Sequence, residues 1–432
     1  MAQLYVEGGQ VLTPEFDVER ADVLVDIETG RIRAVGDIGE PGVGDERLDA
    51  EGGLVMPGLI NAHTHAAMTL MRGYADDKPL EAWLEEDIWP LEAELEAADV
   101  RIGTELAAVE MIKSGTIGFA DMYFHMEEAA DVVDRAGLRA RLGYGMVTID
   151  KDADGTAAEI DTGVEFATEY RGAADGRIQT AVMPHGLYTV EADALREMRD
   201  RAQDAGLPLH FHAAETETEV RDVTELQGDR VVTAADRLDL LGEDDFVAHG
   251  VHLSDDEIKT LADRGTAVIH CPASNMKLAS GMARVQEMLD AGVAVGLGTD
   301  GAGTNNDLDL FDEIRDAAMI GKLASDDAGA VTARTAVELA TTGSADALGF
   351  NSGRIEPGAN ADLIVLDRNA ARLTPEHDLV SHLAYAASGW DVRHTVCDGE
   401  VLMRDRQVLT LDTGRILDAA EDRAADLVAR GG

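Results

Sequence analysis

Cysteine is nearly missing from this chain: Cys271 and Cys397 are the two among 432 residues. Two thiols build no disulfide framework, so the fold must rest on its core, and a reducing, cytoplasmic compartment is expected. Long apolar runs are missing too. The stretch at 53–60 is among the longest, far short of the roughly 20 residues of a membrane span. The opening MAQLYVEGGQ has neither a basic stretch nor an apolar core, so no secretory signal is expected. No linker rich in proline, glycine or serine divides the chain, and no short repeat is visible.

Positive charge is the scarcest commodity. Lys plus Arg number 36 against 84 Asp plus Glu, for a net charge of −48. Such a field repels nucleic-acid backbones and anionic membranes, so neither is an expected partner. The acids are spread along the whole chain. Carboxylates in this density stay hydrated and screened in molar salt, and a halophilic protein is expected. Apolar types make up 45% of the residues, which argues against disorder and for a sizeable core.

Both ends read as short, glycine-punctuated strands: LYVEGGQVL and ADVLVDIETGRIRAVG at the start, ADLIVLD and VRHTVCDGEVLMRD near the end. The middle alternates apolar strand-like runs with amphipathic helical stretches. Eight runs stand out: LINAHTH, TIGFADMY, RARLGYGMV, IQTAVMPHG, PLHFHAAE, FVAHGVHL, AVIHCPAS and AVGLGTDG. Eight βα units predict an α/β fold, a (β/α)8 TIM barrel over 58–354. The flanks 1–57 and 355–432 are expected to form the two parts of one small β-sandwich domain. A doubly wound sheet is the other architecture of this pattern, and eight strands favour closure.

Barrel chemistry sits at the C-terminal ends of the strands. There the sequence places His63 and His65, His185, His212 and Glu215, His249, and Asp300. His63 and His65, two apart on a strand, share a face. Imidazoles and a carboxylate from separate strands suit Zn2+, with Fe2+ and Mn2+ as the other ions such a set accepts. Glu215 lies three residues past His212, where a short loop can turn it inward as a proton shuttle. The competing reading is a solvated acid beside Glu217 and Glu219. A long insertion from Arg72 to Leu95, with Trp83 and Glu92 in LEAWLEEDIWPLEAEL, has the length of a functional lid.

PGLINAHTHAAMTLMRG, HFHAAETETEV, HCPASNMKLASG and GTDGAGTNNDLDLF resemble the amidohydrolase superfamily, and within it the 5-methylthioadenosine/S-adenosylhomocysteine and 5′-deoxyadenosine deaminases. The resemblance covers essentially the whole chain. It implies hydrolytic deamination of an adenine nucleoside to the inosine-type product and ammonia. It assigns the metal to His63, His65, His212 and Asp300, and catalytic roles to Glu215, His249 and Asp300. It makes Trp83, Glu92, His185, Glu215, Asp300 and Thr304 substrate contacts. The binuclear branches carry a lysine on strand four; IQTAVMPHG has none, so one ion per chain is expected. His210 is read as a buried neighbour of His212. Where the family commonly has an arginine after strand three, this chain has Tyr144, which puts a contact to a homocysteine carboxylate in doubt unless Arg139 or Arg141 supplies it. A sibling enzyme acting on guanine, cytosine or a triazine is the alternative, and a non-catalytic barrel the reading from another class. The expected partner is a small nucleoside; a homo-oligomer is compatible with the sequence.

Overall fold

A computed structural model describes residues 3–39, 42 and 44–431. The eight expected runs all form strands: Leu59–Thr64, Thr116–Tyr123, Arg139–Met146, Ile178–Thr180 with Met183–Pro184, His210–Ala213, Phe246–His249, Ala267–His270 and Val295–Leu297. They follow one another in chain order and pair parallel. Bridges Val182–Leu209 and Gly186–His212 join the fourth to the fifth. The last strand returns to the first: the Asp300 N–H donates to the His63 carbonyl at 3.0 Å. A Cβ on Gly298 would lie 2.7 Å from that same carbonyl, so glycine lets the two edges meet. Between strands run helices such as Ala97–Ser114, Met126–Ala136, Ala192–Ala205 and Asp255–Arg264. Each ends on a left-handed glycine that closes its last turn. This is the (β/α)8 barrel of the sequence pattern; its strands are buried on both faces, which is why they read as continuous apolar runs.

Both chain ends meet in one sheet. Its strand order is Gln407–Val408, Glu400–Arg404, Val392–Cys397, Leu363–Asp367, Gly53–Pro57, Gln10–Leu12, Val18–Arg20. Leu363–Asp367 runs antiparallel to Gly53–Pro57 with Val365 opposite Val55. A second sheet holds Arg31–Gly36, Asp22–Asp26, Gln3–Glu7 and Glu46–Asp49. Leu4, Val6, Val23, Val25, Val55, Val365 and Val396 pack as one apolar cluster of this sandwich. The chain leaves the sandwich for the barrel at Gly58, where a Cβ would lie 2.4 Å from the Ile117 side chain.

The division at 1–57, 58–354 and 355–432 is a proposal, and the tail departs from it. Thr413–Gly431 is a helix, not sandwich. Ile416, Ala420 and Leu427 are its buried stripe, at helical spacing. Arg415 reaches Glu105 and Arg430 reaches Asp99, each at 2.6 Å, which fixes it on helix Ala97–Ser114.

The insertion after the first strand is helical over 80–92, with a widened turn at Leu84–Ile88 just ahead of Pro90, which has no N–H to give that turn. Lys277 ties the segment down through Asp76 Oδ1 at 2.6 Å and the Gly303 carbonyl at 3.1 Å.

Candidate active site

Three non-glycine residues at the strand ends sit in the left-handed region: Ala214 at φ 55°, His249 at φ 73° and Asp300 at φ 59°. Each such backbone costs about 1–3 kcal/mol and persists where surrounding bonds over-determine it. For Asp300 two such bonds are its N–H to the His63 carbonyl and the Thr64 hydroxyl, which donates to the Asp300 carbonyl at 2.8 Å.

The hydrogen bonds on the outer side of each imidazole fix its tautomer. His65 Nδ1 donates to the Met122 carbonyl at 2.6 Å, and His212 Nδ1 to the His185 carbonyl at 2.7 Å. His249 Nδ1 donates to Asn275 Oδ1 at 3.0 Å. His210 Nδ1 donates to the Phe246 carbonyl at 2.9 Å, which leaves its Nε2 as an acceptor. That Nε2 takes the Nδ1–H of His63 at 2.9 Å. The Nε2 atoms of His63, His65, His212 and His249 are thereby turned to the inner side. His63 Nε2 is buried with no partner. Ligand atoms of His63, His65 and His212 lie within 4.8 Å of one another, as do those of His63, His249 and Asp300. Converging imidazole lone pairs with one carboxylate fit a divalent cation, and the outer acceptors hold each ring in ligating orientation.

Asp300 Oδ1 lies 3.2 Å from His65 Nε2 and 3.6 Å from His63 Nε2. Its Oδ2 accepts from the Ser274 hydroxyl at 2.7 Å and the Thr304 hydroxyl at 2.9 Å. Burial works against this carboxylate, yet the neighbouring His63 and His65 rings hold it well below the usual range. For His65 burial acts downward, and Asp300 outweighs it to push the ring up to about 9. Binding of a cation at His65 therefore releases a proton.

Beside this cluster stands Glu215, buried, with Oε2 3.6 Å from His249 Nε2. Burial first, and then the charge of Asp300, raise its carboxyl to about 8. It is not the solvated acid of the competing reading. A cavity of about 690 Å³ opens over these groups, and its walls include Trp83, Glu92, His185, His212, Glu215, Asp300 and Thr304. Every expected substrate contact therefore faces one space. Trp83 offers it only a ring, because the indole N–H donates to the Ala75 carbonyl at 3.1 Å. Burial raises the Glu92 carboxyl to about 7. His185 Nδ1 is engaged with the Thr189 hydroxyl at 3.0 Å. Thr304, expected to line the purine pocket, lines this cavity and donates to Asp300 Oδ2.

Residues 54–402 match the amidohydrolase family. The chain belongs to that family. It is 59% identical, over all of both chains, to the 5-methylthioadenosine/S-adenosylhomocysteine deaminase of Haloarcula marismortui. It is 45% identical to the 5′-deoxyadenosine deaminase of Methanococcoides burtonii, over 100% of this chain and 99% of that one. Its fold superposes on an adenosine deaminase from Xanthomonas campestris with bound zinc at a TM-score of 0.93, with 35% identity over 99% of each chain.

In this amidohydrolase no arginine lines the cavity among the described residues. Arg139 is buried at the start of its strand, bonded to Asp362 at 3.0 Å and Asp398 at 2.8 Å. Arg141 spends its guanidinium on the carbonyls of Leu348 and Thr180. Tyr144 itself lines the cavity and donates to Glu127 Oε2 at 2.6 Å. Among the described residues Lys151 is the one Lys or Arg on the cavity wall, and it pairs with Glu159.

Sequence reasoning did not single out Ser274 or Asn275, which hold Asp300 and His249. Both lie in the HCPASN stretch, where the signal was two polar residues directly past a buried strand end. His252 is engaged by the Ser280 carbonyl at 2.6 Å. His125 lines the cavity. His270 is buried, with both ring nitrogens unpartnered among the described residues.

Proposed function

We propose that this amidohydrolase deaminates adenine nucleosides by water, with one Zn2+ per chain. The observation that carries the reading is Glu215, a carboxyl held protonated near neutral pH beside a converging set of imidazole lone pairs. His63, His65, His212 and Asp300 are the proposed ligands. A divalent cation there supplies Lewis acidity that makes a water reactive near neutrality.

The chain's own residues then move protons. Asp300 has Oδ1 facing the ligating nitrogens and Oδ2 held by two hydroxyls, so it is placed to accept a proton from the attacking water. The C–O bond forms at C6 of the purine while Glu215 gives its proton to the adjacent ring nitrogen. The proton taken from water passes to the amino group, the C6–N bond breaks to release ammonia, and the C6 hydroxyl proton returns to Glu215 as the carbonyl forms. His249, locked by Asn275 with its Nε2 3.6 Å from Glu215 Oε2, helps polarise the attacking water. Trp83 gives a ring face to the nucleoside, and Glu92 and His185 take the sugar hydroxyls.

Cytoplasmic location is part of the proposal and rests on two buried free cysteines. No helix among the described residues is long and apolar enough to cross a membrane. The test is ammonia release at molar KCl from adenosine, 5′-deoxyadenosine, 5-methylthioadenosine and S-adenosylhomocysteine, with guanine, cytosine and a triazine as controls. Turnover of at least one adenine nucleoside above all controls is expected. Turnover confined to the controls overturns the reading.

A further inference from the structure

Glu219 is the third residue of helix Glu217–Gln227, whose N-cap is Thr216. A glutamate at this position ordinarily reaches back to the N-cap N–H. Glu257 does so in this chain: its carboxylate accepts from the N-cap Ser254 N–H at 2.9 Å. Glu219 reaches farther. Its Oε1 accepts from the Ala214 N–H at 3.1 Å and its Oε2 from the Glu215 N–H at 2.6 Å. These are the two residues ahead of the cap, and one of them is the left-handed Ala214. The carboxylate is buried, and no lysine or arginine bonds to it among the described residues. A buried acid without a cation is costly. What it obtains is the two N–H groups of the turn that carries Glu215.

We infer that Glu219 is a positioning residue, a two-pronged clamp on the 214–215 backbone that sets where the Glu215 carboxyl stands. The inference rests on the deaminase reading for its effect on turnover, and on geometry alone for the clamp. Glutamine has the same shape but one acceptor oxygen, so E219Q loses one prong and points an NH2 at a backbone N–H. A displaced reacting group costs about 10- to 100-fold in rate.

The experiment compares the metal-loaded full chain as wild type, E219Q and E219Q/A214G. E219Q is expected to lower kcat about 10- to 100-fold while KM and metal content hold. A214G in that background is expected to recover part of the loss, because glycine takes positive φ without strain. Hydrogen exchange at the 214 and 215 amides is expected to quicken in E219Q and nowhere else in the barrel. Unchanged kcat together with unchanged exchange overturns the clamp, as does a kcat loss matched by equal loss of metal. A wild type inert toward every nucleoside overturns the deaminase reading instead, and the exchange rates then decide the clamp by themselves.

Discussion

His210 Nε2 receives the Nδ1–H of His63 at 2.9 Å, and its own Nδ1–H is anchored on the Phe246 carbonyl. One histidine thus holds another in the tautomer whose Nε2 faces the cluster. His210 also stacks on Phe246 with ring centroids 4.1 Å apart. H210F should keep that apolar contact and leave His63 Nδ1–H without an acceptor. Loss of such an outer bond weakens a metal site about 10- to 100-fold. Competition with a chromogenic chelator measures it; undiminished affinity would show that His63 orients itself.

Metal content tests the ligand set. The purified protein should hold about one ion per chain, and H212A should lose most of it. Two ions per chain, both required for turnover, would contradict the single-ion proposal.

Glu215 lies outside that set. E215Q should keep the ion and the fold while kcat falls about 10²–10⁴-fold, the share of general acid–base catalysis. KM should change little unless Glu215 also binds the purine in the ground state.

Tyr144 and Glu127 present a hydroxyl and a carboxylate where a guanidinium would capture an anion. S-adenosylhomocysteine should therefore gain no advantage over 5-methylthioadenosine. Y144R alone would be drawn into a pair with Glu127, so Y144R/E127Q should give the larger shift toward the carboxylate-bearing substrate. The ratio of kcat/KM values at one fixed salt concentration reads it. A strong wild-type preference for S-adenosylhomocysteine would defeat the idea.

Stability should rise from low salt to molar KCl, since −48 of net charge repels itself until screened. It should also depend on pH. Burial holds Glu92 and Asp309 up at about 7. An acid whose folded pKa is raised keeps a proton that the unfolded chain has lost, so stability falls as pH rises toward the folded value. The buried histidines lowered by burial, such as His185 at about 4, act in the opposite direction, but only below their ordinary value near 6.5. Above about pH 6.5 the acids are unopposed. At constant KCl, the chelator-treated protein should therefore melt lower at about pH 8 than at about pH 6.5. An equal or higher melting temperature at the upper pH would contradict this.

Much was legible along the chain because barrel strands buried on both faces leave unbroken apolar runs, each ending in the polar residue that its strand delivers to the rim. HTH, HFHAAE and GTDG are local patterns of that kind, and they marked His63, His65, His212 and Asp300 as candidates that the family resemblance then singled out. The last helix was not legible as such. Ile416, Ala420 and Leu427 are a sparse stripe, and its docking depends on Asp99 and Glu105, some 310 residues earlier. Glu219 looked like one more surface acid in ETETEV, because burial is a property of what packs over a residue.

By itself, then, the sequence determined strand number, the β character of both ends, the residues capable of holding a cation and the acidity that calls for salt. Those properties reside in residue type and short spacing. Tertiary structure alone decided which ring nitrogen each histidine turns inward, that Arg139 and Arg141 are committed away from the cavity, and that Glu219 grips the turn under Glu215. Each of these is a contact between groups whose approach is set by barrel closure, where the eighth strand comes back to the first and hydrogen-bond partners from distant segments meet.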